Sequence, residues 1–214
     1  TDYSFMELIY HSEICQKAIG THFSEKTLEI IIAANHKQDG LFTGLVGHPE
    51  YHFDDNKFDD SWAFVNEQHL IVRKSISLSD LESAWIAFGR LLHAVQDYYS
   101  HSNYIKLWMD TYSPGKLPIL KDFSGVDETI LNSDELYTAR VYYPLEALTY
   151  FEFMRPILRP VLPADSHANM NLDSPIMGEL FPYAMEGARH RSEFEYKKII
   201  EKFDSDKIRK FHGK

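Results

Sequence analysis

Apolar residues recur at helical spacing along most of the chain. Phe5, Leu8, Ile9, Ile14, Cys15 and Ala18 share a face of a segment over 5–19, and Gly20 stops it. Ser24 and Thr27 read as a cap before a second helix through 28–34, ended by Asn35. Residues 36 to about 60 read as a loop, with Gly40, Gly44, Gly47 and Pro49 as breakers. Ser61 opens a short helix toward Val72. Ser79-Asp80-Leu81-Glu82 is a capping signal, and one long helix is expected over 81–107 with Trp85, Phe88, Leu91, Leu92 and Val95 toward the core. A loop over 114–125 and a helix over 134–158, interrupted near Pro144, come next. Pro156, Pro160 and Pro163 make a rigid connection to a last helix, which runs from Pro175 or Pro182 to Phe203. Strand-type alternation is nearly absent, and neither a repeat nor a linker divides the chain. The expectation is an all-α, single-domain, multi-helix fold over residues 1–214.

Composition sharpens this picture. Apolar residues make up 44% and charged residues 25%, which excludes a disordered chain. The net charge of −10 disfavours binding nucleic acid through a basic surface. A single cysteine, Cys15, excludes an internal disulfide and any cysteine-rich zinc site. No segment has the length and apolarity of a membrane span, and no signal peptide leads the chain. Both a cytoplasmic location and secretion after processing stay open. Eleven histidines are the first hint of metal chemistry.

The informative segment is His93-Ala94-Val95-Gln96-Asp97-Tyr98-Tyr99-Ser100-His101. His93, Asp97 and His101 step by four, so each drifts only about 40° around a helix and all three share a face. A carboxylate between two imidazoles can bridge divalent ions about 3.5–4 Å apart. The same spacing also fits a solvated face or a buried hydrogen-bond network. Metal is favoured because Trp85, Phe88, Leu92 and Val95 flank the stripe, and a buried polar ladder needs partners. Other candidate ligands are His11, Asp39 on the turn Asn35-His36-Lys37-Gln38-Asp39-Gly40, His52 before Asp54-Asp55, His167, and the pair Glu186 and His190 one turn apart. Tyr98, Tyr99, Tyr142, Tyr143 and Tyr150 line a cleft or serve as core aromatics. There is no phosphate-binding glycine loop, no G-x-S-x-G elbow and no H-E-x-x-H.

The run HAVQDYYSHSNY, with His11, ANHKQDG and HFDD upstream and HANMNLDSP downstream, resembles the zinc-dependent phospholipase C and single-strand nuclease superfamily. It looks most like the heterokaryon-incompatibility C-type variant. The resemblance implies a helical fold with a metal cluster in a cleft. It implies that His52, His93 and Asp97 are one metal's ligands and that His11 joins Asp97 in another group. It further implies a cluster of His101 with His190, and with Glu186 or His167. Asp39 is implied to orient or deprotonate the attacking water, and Thr1 to offer its amine if it is a processed terminus. The chain departs from the superfamily pattern in lacking a downstream His-x-x-x-Glu, since Phe194 follows His190 at that offset.

The functional expectation is metal-dependent hydrolysis of a phosphate ester with two or three divalent ions. The His/Asp donor set suits zinc, with other transition metals open. A phospholipid or small phosphodiester is the first substrate class, single-stranded nucleic acid the second. Two other classes stay open: a non-catalytic, metal-stabilised interaction module, and a lyase or cyclase using the metal as Lewis acid.

Overall fold

The computed structural model describes residues 4–40, 47–150 and 152–214. The expectations attached to Thr1, to Gly44 and to the side chains of Phe5 and Tyr150 lie outside the described residues. Among the described residues there is no strand, only isolated bridges between Ser102 and Thr138 and between Arg140 and Ser166. The all-α expectation holds.

α1 (Ser4–Ile19) is followed by α2 (Glu25–His36), whose cap is Ser24 accepting from the Thr27 amide. α3 (Phe58–Leu78) is longer at both ends than the expected 61–72. Asp59 and Asp60 complement the positive end of its first turn, and it runs until Ser79 adopts a left-handed φ of 61°. α4 (Leu81–His101) begins at Asp80, which accepts from the Ser83 amide.

The helix expected over 81–107 breaks after His101. Asn103 donates its amide to Tyr137 O at 3.1 Å and accepts from Tyr137 N at 2.8 Å, so partners outside the helix replace the helical ladder. α5 (Tyr104–Tyr112) then restarts. The helix expected over 134–158 does not form. α6 covers only Glu128–Leu131, and the backbone near Ala139 and Arg140 is bonded elsewhere: Ala139 N to His101 O at 2.8 Å and Arg140 N to Asp165 O at 2.8 Å. Beyond Pro144 lie short turns, α7 (Arg155–Leu158) and α8 (His167–Met170). α9 (Phe181–Ile200) has Pro182 in its first turn, and a separate α10 (Ser205–Phe211) is capped by Asp204.

α4 is the central element, packed by α2, α3 and α9, with α1 against α9. Phe88, Leu91, Leu92 and Val95 are buried as expected. Trp85 is half-buried and donates to Phe211 O at 2.7 Å, docking α10. Gly89 permits the close α2–α4 approach, because a Cβ there would lie 2.2 Å from Ile31 O. Tyr98 and Tyr99 are core residues, whereas Tyr143 is exposed. None of the described helices is long and apolar enough to cross a membrane.

Candidate metal centre

Five parts of the chain deliver the candidate ligands. α1 carries His11, the turn after α2 carries Asp39, and α4 carries His93, Asp97 and His101. A loop before α3 supplies His52 and Asp54, and α8 with the segment after it supplies His167 and Asp173. The loop is locally strained: Phe53, Asp55 and Asn56 have φ of 53°, 59° and 55°. Phe53 anchors it, fully buried with ring centroids 4.8 Å from Trp62 and 5.1 Å from Tyr98. Asp55 N donates to Ala139 O at 2.7 Å, and Asn56 pairs with Thr138. The extended segment that displaces the expected helix therefore clamps this loop.

The first group centres on Asp97. Its Oδ2 lies 2.8 Å from His52 Nδ1 and 3.0 Å from His93 Nε2, and its Oδ1 lies 3.2 Å from His11 Nε2. Asp39 Oδ1 is 3.5 Å from His93 Nε2 and 4.0 Å from His52 Nδ1. His52 Nδ1 and His93 Nε2 are 3.1 Å apart. Asp39, His52, His93 and Asp97 each offer a ligand atom, all within 4.8 Å of one another. Tetrahedral zinc with bonds of about 2.0–2.1 Å holds its ligand atoms roughly 3.3 Å apart. The observed separations bracket that figure, so these residues fit a divalent ion. Asp39 Oδ2 and His52 Nε2 are buried without a hydrogen-bond partner.

The second group centres on His101. Its Nδ1 is 2.9 Å from His52 O, to which it donates, and 3.3 Å from Asp54 Oδ1. Its Nε2 is 3.2 Å from His167 Nε2 and 3.3 Å from Asp173 Oδ1. Asp54, His101 and His167 also satisfy metal-ligand spacing. Donation of one ring nitrogen to a backbone carbonyl is the usual support for a metal-binding imidazole. The two groups meet at His52, whose ring enters the first and whose carbonyl serves the second.

Carboxylates dominate the electrostatics of both groups. Burial lowers the His11 pKa, but the hydrogen bond and charge of Asp97 outweigh it and raise it to about 10. His52 is raised in the same way, whereas burial wins at His93 and lowers it. Asp97 is held well below the usual carboxylate range: burial opposes this, but His93 and hydrogen bonds from His11 and His52 prevail. His101 is raised well above its ordinary value despite burial, by Asp54 and Asp173. Cation demand is thus concentrated at both groups.

His93, Asp97 and His101 do share the inner face of α4. Asp97 directs both oxygens at His11, His52 and His93, while His101 turns to Asp54, His167 and Asp173. Glu186 and His190 form their own pair at 3.2 Å on α9, with Arg189 on Glu186 and the Gly125 amide donating to His190. Glu186 and Arg189 line a groove of about 220 Å³ with Ile14, Phe181 and Met185, between α1 and α9. Asp54 and Asp173 were not singled out from sequence as ligands. Both stand within runs that drew attention for their histidines, HFDD and HANMNLD.

A family model described as VWA7 N-terminal domain matches residues 6–117, just over half of the 214-residue chain. The matched span includes His11, Asp39, His52, Asp54, His93, Asp97 and His101, and ends before His167 and Asp173. Comparison with curated proteins and with solved structures gives no match.

Proposed function

The chain belongs to the VWA7 N-terminal domain family, and from that premise we propose that its two His/Asp groups form a zinc centre that hydrolyses a phosphate ester. The observation that carries this reading is the pair Asp97 and Asp39. Asp97 presents its oxygens to imidazoles from three elements, and Asp39 presents Oδ1 to two of them, His52 and His93, while its Oδ2 is left without a partner. Divalent ions held there, two or three in number, supply Lewis acidity to a phosphate oxygen and to water.

The protein's own residues divide the work. His52, His93 and Asp97 hold the charge, and His11 shares Asp97. The Asp39 side chain is 26% exposed against 0% for His93, so the group opens to solvent on the Asp39 side. Asp39 is the base placed to accept a proton from a water held at the group, its buried Oδ2 having no hydrogen-bond partner of its own. His101, His167, Asp54 and Asp173 hold a further ion. Phospholipid is the preferred substrate class, as the likeness to zinc-dependent phospholipases C suggests, and the charge of −10 opposes a long polyanion.

The test is hydrolysis of a chromogenic phosphodiester and of phospholipid vesicles by the zinc-loaded protein. Asp39→Asn should lower turnover by about 10²- to 10⁴-fold while keeping most of the metal, and His101→Ala should lose metal and activity together. A zinc-loaded wild type that cleaves neither substrate sinks the hydrolase. A metal-stabilised interaction module then takes its place, a reading favoured by the burial of His52 and His93.

A further inference from the structure

Behind the first group runs a chain of buried hydrogen bonds whose polarity is selected from one end, at Ser192. Ser192 Oγ on α9 donates to Ala188 O at 2.8 Å, and a carbonyl only accepts, so the hydroxyl proton is committed. Ser192 Oγ must therefore accept from Gln96 Nε2, 3.2 Å away. This fixes the Gln96 amide, whose Oε1 accepts from Asn35 Nδ2 at 3.1 Å and from His11 Nδ1 at 2.7 Å. Asn35 is oriented in turn, and its Oδ1 accepts from His93 Nδ1 at 3.4 Å. Asn35, Gln96 and Ser192 are all buried at 0–1% exposure, so bulk water does not compete for these bonds.

The consequence falls on the two rings. A neutral imidazole carries one proton. His93 commits it to Asn35 Oδ1 through Nδ1, which leaves Nε2 as a lone pair. His11 also gives its Nδ1 proton to an amide oxygen, that of Gln96, and holds a second proton on Nε2 toward Asp97, the proton a metal ion would replace. The two Nε2 atoms lie 3.2 Å and 3.0 Å from Asp97 oxygens. At His93 lone pair against carboxylate is repulsive, and a cation between them removes the repulsion.

We propose that Gln96, polarised by Ser192, is a positioning residue that locks His11 and His93 in the tautomer with the proton on Nδ1, so that both bind metal through Nε2. The proposal rests on the metal reading above. The relay has two self-consistent settings, because turning over both amides would present N–H to the two rings and move their protons to Nε2. That second setting closes both ligand positions at once. Cys15 Sγ, 3.4 Å from Gln96 Nε2 and 3.9 Å from Asn35 Nδ2, tolerates either setting, since a thiol both donates and accepts. Ser192, tied to the α9 backbone, selects between them.

Zinc affinity is measured by chelator competition on the full chain for wild type, Ser192→Ala, Ser192→Thr and Gln96→Glu. Ring ¹⁵N shifts of His93 are recorded in the metal-free protein, since they report which nitrogen bears the proton. Ser192→Ala should lower zinc affinity about 10- to 100-fold, the usual effect of removing an outer support, and move the His93 proton to Nε2. Ser192→Thr, which keeps the hydroxyl, should restore both. Gln96→Glu, which still accepts from His11 and Asn35, should keep the His93 proton on Nδ1, and a proton moved to Nε2 there would also overturn the relay. An unchanged affinity or an unchanged His93 tautomer in Ser192→Ala overturns the relay, whatever happens to stability. A wild type that binds no zinc overturns the metal reading and the relay with it.

Discussion

Gly89→Ala tests how the packing of two helices places the site. The new Cβ would lie 2.2 Å from Ile31 O, 2.8 Å from Ala34 Cβ and 3.0 Å from Asn35 N. A carbon–oxygen contact settles near 3.3 Å or beyond, so α2 must retreat from α4 by roughly 1 Å. Overpacking of this kind costs about 1–3 kcal/mol, partly offset by about 1 kcal/mol from alanine's helix propensity. Backbone lies on both sides of the contact, so little relief is available, and a net loss near 2 kcal/mol is expected. For a chain of this size each kcal/mol lowers Tm by roughly 2–4 °C. The same retreat moves Asn35 and the Asp39 turn away from His93, now 3.5 Å from Asp39 Oδ1, so zinc affinity should fall with stability. The control is Gly213→Ala, whose Cβ would meet Thr27 Oγ1 at 2.1 Å at the opposite end of α2. It should destabilise without weakening zinc binding. Urea melts and zinc titrations of both variants decide the matter. Wild-type stability in Gly89→Ala refutes the packing argument, and lost stability with wild-type zinc affinity refutes the link from α2 to the site.

Glu195 is fully buried, 2.5 Å from His69 Nε2 and 2.6 Å from Arg191, and joins α3 to α9. Glu195→Ala should cost about 3–5 kcal/mol, as expected when one partner of a buried ion group is removed, and equal melting curves would contradict this. Burial raises the Glu195 pKa, but His69 and Arg191 more than offset that and leave it lowered. Its stabilisation is therefore present above the ordinary glutamate range and disappears as pH falls through the lowered folded value, so wild type and Glu195→Ala should converge in stability at low pH. Glu146 is buried and accepts from the Ala168 amide and, at 2.7 Å, from Tyr142 N, which holds the start of α8. Glu146→Ala should release His167 and remove metal from the second group while sparing the first; metal counting by elemental analysis showing no loss would reject that role.

The helices were legible where the signal was local. Capping at Ser24 and Asp80 and the apolar face of α4 lie within one turn of the residues they organise. The stripe of His93, Asp97 and His101 was legible for the same reason. The segment 134–158 misled because apolar residues at helical spacing do not reveal that its backbone is bonded to His101 and Asp165. Spacing on α9 correctly paired Glu186 with His190, but only the tertiary structure shows that Glu186 lines the α1–α9 groove. Asn35, Gln96 and Ser192 carry no sequence signature. An amide becomes informative only when its neighbours fix which end faces the histidine.

The central claim is that the two His/Asp groups are metal sites rather than proton-sharing networks. Anomalous diffraction at the zinc edge, from crystals grown with zinc, tests it most directly. The account predicts one peak bonded at about 2.0–2.2 Å to donors from Asp39, His52, His93 and Asp97, and a second among His101, His167 and the carboxylates of Asp54 and Asp173. Featureless anomalous maps at both groups, with His52 Nδ1 still 2.8 Å from Asp97 Oδ2 in a direct hydrogen bond, would contradict it.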